Sequence, residues 1–140
     1  MWIFLPESFI SVVQKPGDTD TLTVRARIKG DIESVFPDAY VEADKGTDYK
    51  YRARVSRHAV AQVLHDQVMD LARTLQAPIV HALRGKEYIE YNNPHDVGMT
   101  GLLGFASGYK AIAEADLLLM LGTDFPYQQF YPDRAQIIQV

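Results

Sequence analysis

Three evenly spaced glycines are the strongest candidates for chemistry in this chain. Gly98, Gly101 and Gly104 occur as GMTGLLG at the entrance to a predicted helix. Glycine lets backbone N–H groups approach an anion without a Cβ clash, and the helix N-terminus adds a favourable field for negative charge. The pattern indicates a diphosphate site. Taken alone, the glycines are equally compatible with a turn and a tight helix contact.

A second candidate segment follows the apolar run that ends at Gly122. It reads Thr123-Asp124-Phe125-Pro126-Tyr127. Ligands of open α/β sheets bind beyond the carboxyl ends of the strands, so we expect this segment to adjoin the glycine loop. Nearby aromatic side chains are able to stack on a ring, although packing of the loop onto the sheet is their commoner use: Tyr88, Tyr91, Tyr127, Phe130 and Tyr131.

Metal and nucleophile motifs are weak. The spacing of His58, His65, His81 and His95 forms no ligand pair, and we expect surface or hydrogen-bonded histidines rather than metal ligands. Three acidic residues near His95 are predicted to lie in a solvated loop: Glu87, Glu90 and Asp96. No P-loop Lys-Ser/Thr and no G-x-S-x-G elbow occurs.

An α/β unit is predicted to position the glycine loop. Pro78–Leu83, Leu117–Leu121 and Gln136–Val140 read as buried strands of a parallel sheet. A helix is predicted from about Leu102 to Glu114, and its small residues permit close packing on the sheet.

A helix of about 20 residues is predicted from Arg57 to Gln76. Ser56 is a candidate cap, and Pro78 lies beyond the end. Apolar residues recur at three- and four-residue steps and predict one buried stripe: Val60, Leu64, Val68, Leu71, Ala72 and Leu75. We expect this helix to be shared by the two halves of the chain rather than to be a flexible linker.

The first 57 residues predict a small ββαββ unit of the α+β type. Trp2–Leu5 and Phe9–Val13 form one predicted hairpin, and Leu22–Ile28 alternates as a half-buried strand. A short helix at Ile32–Phe36 is stopped by Pro37. A second hairpin is predicted from Ala39–Ala43 and Asp48–Val55, joined by residues 44–47.

Alternation in these strands places cations on one potential sheet face: Arg25, Arg27, Lys29, Lys50, Arg52 and Arg54. Such a face suits phosphate or an acidic partner. The favoured interpretation is a solvated face whose charges pair with Glu33, Glu42 or Asp48 and protect against edge aggregation.

Composition favours a cytoplasmic globular protein. The chain has 140 residues and a net charge of -4, with the acidic excess in residues 58–140. A globally basic nucleic-acid binder is therefore not indicated. The absence of cysteine excludes a disulfide scaffold and thiolate chemistry. The apolar opening lacks a basic segment before it and makes a poor signal peptide, and no run reaches the length of a membrane span.

The segment from Ala77 to Tyr131 resembles the central domain of thiamine-diphosphate-dependent pyruvate oxidase, the quinone-linked pyruvate dehydrogenase. HALRGKEYIEY, DVGMTGLLGF and GTDFPY carry the resemblance, which covers about residues 66–140. It implies a Rossmann-like fold and an FAD site. The residues that match flavin-contacting motifs are Thr100, Gly101, Leu102, Leu103, Thr123, Asp124, Phe125, Pro126 and Tyr127, with His81–Lys86 at a strand end.

The chain departs from that family in ways that weaken the expectation of activity. The first strand and glycine turn of the domain, the acidic residue for the adenosine ribose and both thiamine-diphosphate domains are not found in this sequence. Residues 1 to about 65 instead resemble a small uncharacterised bacterial family that begins MWIF. The predicted organisation is a fusion: 1–57 a ββαββ unit, 58–76 a shared helix, and 77–140 a partial FAD-binding domain.

We therefore expect a truncated flavin-binding or nucleotide-binding domain without catalytic activity of its own. FAD binding is expected to be weak or absent, and thiamine diphosphate is not expected to bind. No catalytic residue and no metal ligand is predicted, and neither nucleic acid nor membrane is an expected partner. The alternatives are a noncatalytic protein-interaction module, such as a small regulator or an antitoxin-like binder, and a nonfunctional or artificial fusion.

Overall fold

The fold is of mixed α/β class and was obtained as a computed structural model that describes residues 1–43, 46–123 and 125–140. It divides into two compact units, Met1–Leu64 and His65–Val140. No helix within the described ranges is both long and apolar enough to cross a membrane.

The first unit is built on a five-stranded antiparallel sheet. The strands are β1 (Trp2–Leu5), β2 (Ser8–Val13), β3 (Thr21–Ala26), β4 (Val41–Ala43) and β5 (Tyr51–Ser56), in the order β1-β2-β3-β5-β4. Helix α1 (Asp31–Val35) joins β3 to β4 and ends two residues before Pro37. The two predicted hairpins are confirmed, since β1 pairs with β2 and β4 with β5.

One face of this sheet supports the core of the unit. Ile10, Val24 and Ile32 are fully buried, which shows that α1 covers this face. The burial of Val24 and Ala26 follows the period-2 alternation of β3. The prediction was wrong for Ile28, because β3 ends at Ala26 and leaves that side chain exposed.

The opposite face of the sheet carries some of the predicted cations. The register pairs Arg25 with Arg52, so β3 and β5 are neighbours as the basic-face prediction requires. Lys29 and Lys50 lie outside the strands. Arg27 Nη2 lies 3.9 Å from Asp48 Oδ2, which matches one of the expected charge pairs.

Helix α2 (Arg57–Leu75) contains the boundary between the units. Ser56 Oγ accepts a hydrogen bond from the Ala59 backbone N–H at 3.1 Å and caps the helix start as predicted. The predicted single buried stripe is wrong at the other end, where Leu71 and Leu75 are 36% and 55% exposed. Ala72 is buried there as predicted, and so is Met69, which was not part of the predicted stripe.

The second unit contains two separate pairs of parallel strands. β6 (Ile79–His81) pairs with β7 (Asp96–Met99), and β8 (Leu117–Met120) pairs with β9 (Gln136–Gln139). Between β6 and β7 lie a 3-10 turn (Leu83–Gly85) and helix α3 (Lys86–Ile89). Helix α4 (Ala106–Glu114) joins β7 to β8, and a second 3-10 turn (Gln128–Phe130) precedes β9.

The predicted parallel sheet is divided into two strand pairs, and Leu117 in β8 is exposed rather than buried. Three further details of this unit differ from the sequence expectation. β7 was not predicted, because a four-residue strand that contains Gly98 gives only a short apolar alternation. Helix α4 begins at Ala106 rather than Leu102, since the glycine loop occupies the intervening residues. All four residues of β9 are exposed, so this strand is not buried as predicted.

Candidate site at the glycine loop

The glycine loop connects the end of β7 to the start of α4. Gly101 has φ of 107°, a left-handed conformation that glycine adopts without strain. At Gly104 a Cβ atom would lie 2.8 Å from the Met99 carbonyl oxygen, and at Gly108 the same distance would be 2.6 Å. The structural explanation of the glycines therefore holds for Gly104 and Gly108, because they let α4 start directly against β7.

Gly101 occupies a different environment from Gly104. Among the described residues, a Cβ on Gly101 would meet the Phe125 ring alone, at an ordinary contact distance of 3.8 Å. The need for glycine at this position therefore comes from its backbone conformation and not from crowding. Substitution by valine would strain the loop, so that variant does not isolate ligand binding from folding.

A pocket of about 350 Å³ opens at this loop. Its lining consists of the loop, the first turn of α4 and one aromatic residue from the turn before β9: Thr100, Gly101, Gly104, Phe105, Ala106, Tyr109 and Phe130. The rings of Tyr109 and Phe130 meet edge to face with centroids 6.1 Å apart. The volume lies at the small end of the range for pockets that bind organic ligands.

Thr100 supplies a buried polar group to this pocket. Its backbone N–H donates to the His81 carbonyl at 3.1 Å and fixes the residue beside the end of β6. The residue is 9% exposed, and within the described part of the chain its Oγ1 atom is buried without a hydrogen-bond partner. A buried hydroxyl without a partner is costly.

The start of α4 lies at the same pocket and has backbone donors without an intrahelical acceptor. The first hydrogen bond of the helix runs from Tyr109 N–H to the Phe105 carbonyl at 3.1 Å. By helical geometry the preceding N–H groups have no intrahelical acceptor. Phe105 occupies the N-cap position, and its side chain cannot accept a hydrogen bond. Ala106 is exposed on the pocket lining, so an anion has access to this helix end.

The second predicted segment is partly brought to the loop. Phe125 is buried, and its ring approaches Gly101. Tyr127 packs edge to face on Phe125 with ring centroids 5.6 Å apart, and Tyr131 stacks on it at 5.8 Å. Tyr127 and Tyr131, two of the aromatics named from the sequence, thus pack on Phe125, and such packing is the use that was expected to be commoner.

The remaining predicted residues lie outside the pocket lining. Leu102 and Leu103 are exposed at the tip of the loop. Thr123 Oγ1 accepts the Phe125 N–H at 3.3 Å, and its carbonyl accepts from Gln139, so it organises the turn after β8. Pro126 is exposed. Asp124 lies outside the described residues.

Sequence reasoning missed Phe105, Ala106 and Tyr109 as pocket residues. They occupy the N-cap, first and fourth positions of α4 and share one helix face by their three- and four-residue spacing. Correct placement of the helix start would have found them.

A buried histidine at the end of β6 organises the strand pair behind the loop. His81 Nδ1 lies 2.8 Å from Asp96 Oδ1, and its Nε2 is 3.4 Å from Glu90 Oε2 without hydrogen-bond geometry. Lys86 donates a hydrogen bond to Glu90. The prediction of a solvated loop is therefore wrong for Glu90 and Asp96, because both are partly buried against His81.

The Lys86 contact dominates the protonation of Glu90. The hydrogen bond from Lys86 lowers the Glu90 pKa below its usual value, with further lowering by the Lys86 charge and by His81 and opposition from desolvation. The same hydrogen bond raises the Lys86 pKa. Among the described residues, no group of three or more His, Asp or Glu side chains is placed to hold a metal ion.

Comparison with known families places this geometry in context. The model of the thiamine pyrophosphate enzyme central domain matches residues 55–140, which is more than half of the chain. The chain belongs to this family. The central-domain match includes the glycine loop, the His81 network and both pairs of parallel strands.

Individual relatives match about half of this chain. An uncharacterized 42.6 kDa protein from the isoamylase 3' region of Pseudomonas amyloderamosa is 67% identical over 76 residues, 54% of this chain and 19% of the relative. The putative thiamine pyrophosphate-containing protein YdaP of Bacillus subtilis is 39% identical over 74 residues, which are 53% of this chain and 13% of the relative. The acetolactate synthase large subunit of Parasynechococcus marenigrum is 36% identical over 67 residues, which are 48% of this chain and 11% of the relative. The chain spans less than a fifth of the length of each of these relatives.

Proposed function

We propose that the glycine-loop pocket binds the diphosphate of a flavin nucleotide, FAD, and that the chain acts as a nucleotide-binding unit related to pyruvate oxidase. The single observation that carries this proposal is that Thr100, which lines the pocket, has a buried Oγ1 atom without a hydrogen-bond partner among the described residues. The diphosphate would accept from this hydroxyl and from the N–H groups at the start of α4.

Apolar surface beside the loop supports a flavin rather than a simple anion. Leu102 and Leu103 are 68% and 69% exposed, and Phe105 is also exposed. An amphipathic dinucleotide covers apolar surface with its rings while its diphosphate occupies the polar pocket. When bound, FAD would supply redox chemistry at its isoalloxazine ring, and the residues of this chain would bind and orient it.

The test is FAD affinity measured by flavin fluorescence anisotropy on the whole chain and on Ala106→Glu. A glutamate at the first helical position favours helix formation by about 0.3–1 kcal/mol through the helix dipole. It also places a negative charge where the diphosphate would bind. We expect the variant to be folded and its FAD affinity to be reduced at least tenfold.

Ala113→Glu is the matched control, because Ala113 is exposed on the same helix near its other end. It should leave FAD affinity unchanged. Equal loss in both variants would show that the ligand responds to net charge alone. Unchanged affinity in Ala106→Glu would place the ligand elsewhere.

A further inference from the structure

A cavity of about 460 Å³ lies on the polar sheet face of the first unit. Its lining includes three cations, Lys15, Arg52 and Arg54, and two carboxylates, Asp18 and Glu42. The buried residue Thr23 also contributes to the lining. The formal charge of this lining is positive, although the chain as a whole is acidic.

The sheet register fixes the cations of the cavity. Arg52 and Arg54 are two residues apart on β5, so both project from the same face. The partner of Arg54 on β3 is Thr23, and the partner of Arg52 on β4 is Glu42. The positions of these groups therefore depend on strand pairing rather than on a flexible loop.

Buried Asp18 orients one of the arginines. Its Oδ1 accepts from Arg54 Nη2 at 2.5 Å, and its Oδ2 accepts the Lys15 backbone N–H at 3.3 Å. The carboxylate is engaged in holding the site together, and the Arg54 side chain remains 69% exposed. A guanidinium held on one edge presents its other N–H donors in a fixed direction.

The neighbouring strand increases the positive field. Arg25 is directly opposite Arg52, and like charges in that relationship are destabilising. The Arg25 guanidinium lies 4.6 Å from the centroid of the Tyr49 ring and donates to Ser11, but its Nε is buried without a partner among the described residues. Arg52 Nη2 donates to Thr47 Oγ1 at 2.7 Å, and Arg52 also lines the cavity.

We propose that this cavity binds a small organic phosphate. The phosphate oxygens accept from Arg52, Arg54 and the Lys15 ammonium group, and the organic part lies against Tyr40, which is exposed on the lining. Guanidinium pairs match phosphate geometry. The overall net charge of -4 opposes a long polyanion, whereas a single phosphate meets mainly the local field.

The experiment is a titration of the ¹⁵N-labelled full chain with inorganic phosphate and with phenyl phosphate, followed by amide chemical shifts. We expect saturable shifts at the amides of Lys15, Thr23, Arg52 and Arg54. Phenyl phosphate should bind several-fold more tightly than inorganic phosphate, and Tyr40→Ser should remove that difference. The amide spectra report at the same time whether each variant is folded.

Charge variants identify the site. Lys15→Gln should weaken phosphate binding about tenfold, and Glu42→Gln should tighten it several-fold because it removes a repulsive carboxylate. Lys29→Gln is the control, since Lys29 is exposed and is not part of the cavity lining. Ala106→Glu in the other unit should also have no effect, which separates this site from the proposed flavin pocket.

Three outcomes would overturn the proposal. The first is a set of shifts that do not saturate, and the second is equal weakening by Lys15→Gln and Lys29→Gln. The third is no preference for phenyl phosphate over inorganic phosphate, which would reject an organic ligand. Binding of an acidic peptide that phenyl phosphate does not displace would identify a protein surface instead.

Discussion

His81 Nδ1 lies 2.8 Å from Asp96 Oδ1, and this contact joins the side chains of two parallel strands directly behind the glycine loop. The His81 carbonyl accepts the Thr100 N–H at 3.1 Å. The same residue therefore holds the adjacent strand with its side chain and the first residue of the loop with its backbone. The shape of the candidate site depends on this histidine.

Replacement of Asp96 by asparagine should loosen that arrangement. Asn keeps an acceptor for the imidazole but removes the charge, so we expect a loss of about 1–2 kcal/mol in the opening free energy of the β6-β7 pair. Hydrogen exchange at the Thr100 and Ile79 amides measures this opening, because both N–H groups bond across the strand pair. Asp70→Asn is the control, as its exposed partner is Arg73. Unchanged protection in Asp96→Asn would show that the contact is incidental.

The Lys86 contact gives a pH prediction. Because the Lys86 hydrogen bond lowers the Glu90 pKa, the stabilising contribution of Glu90 is present above its unfolded pKa and is lost as pH falls through its lower folded pKa. The contribution of Lys86 is lost only as pH rises through its raised pKa. NMR titration of the Glu90 side chain should give a higher midpoint in Lys86→Gln than in the parent. Lys110→Gln should leave the midpoint unchanged, and equal midpoints in all three proteins would refute the assignment.

Helix α2 offers a comparison of two leucines. Leu64 packs against the core of the first unit, so Leu64→Ala should destabilise by about 2–3 kcal/mol. Leu71 is 36% exposed, and Leu71→Ala should cost under about 0.5 kcal/mol. Urea denaturation followed by circular dichroism tests both. Similar losses would mean that the stripe predicted from sequence is buried along its whole length after all.

Pyruvate chemistry provides a functional prediction. Oxidative decarboxylation of pyruvate needs a cofactor that stabilises a carbanion, and the family match of this chain is to a central domain. We expect homogeneous protein, supplied with FAD, to show no pyruvate-dependent quinone reduction. Turnover above the blank that persists in Thr100→Val would contradict this view of the chain as a binding unit.

The strands of the first unit were predictable because one face is buried and the other is polar. Val24 and Ala26 alternate with Thr23 and Arg25, and period-2 patterning specifies both strand and register. The second unit was harder. β7 contains a glycine and has only four residues, so its pattern is short. Leu117 and Ile137 are exposed although they are apolar, because apolar character alone does not determine burial.

The sequence pointed to the glycines and the threonine of the candidate site, but not to the helix residues that complete the pocket lining. Two residues that line the pocket were named from the sequence, Gly101 from the glycine spacing and Thr100 from the family resemblance. Asp96 was assigned to solvent because its partner, His81, is 15 residues away and belongs to another strand. Contacts of this kind depend on strand pairing, which local sequence patterns do not encode.

The most direct test of the account is Thr100→Val, measured for both stability and FAD affinity. Valine has nearly the shape of threonine and removes a buried hydroxyl that has no partner in the described structure. The unliganded variant should be as stable as the parent or up to about 1 kcal/mol more stable. Its FAD affinity should fall about tenfold, the equivalent of one lost hydrogen bond to a charged group at roughly 1.4 kcal/mol.

Thr74→Val, at an exposed position of α2, should leave FAD affinity unchanged. We expect Thr100→Val to keep or raise the stability of the protein and to lower its FAD affinity. A folded Thr100→Val protein that binds FAD as tightly as the parent would contradict it.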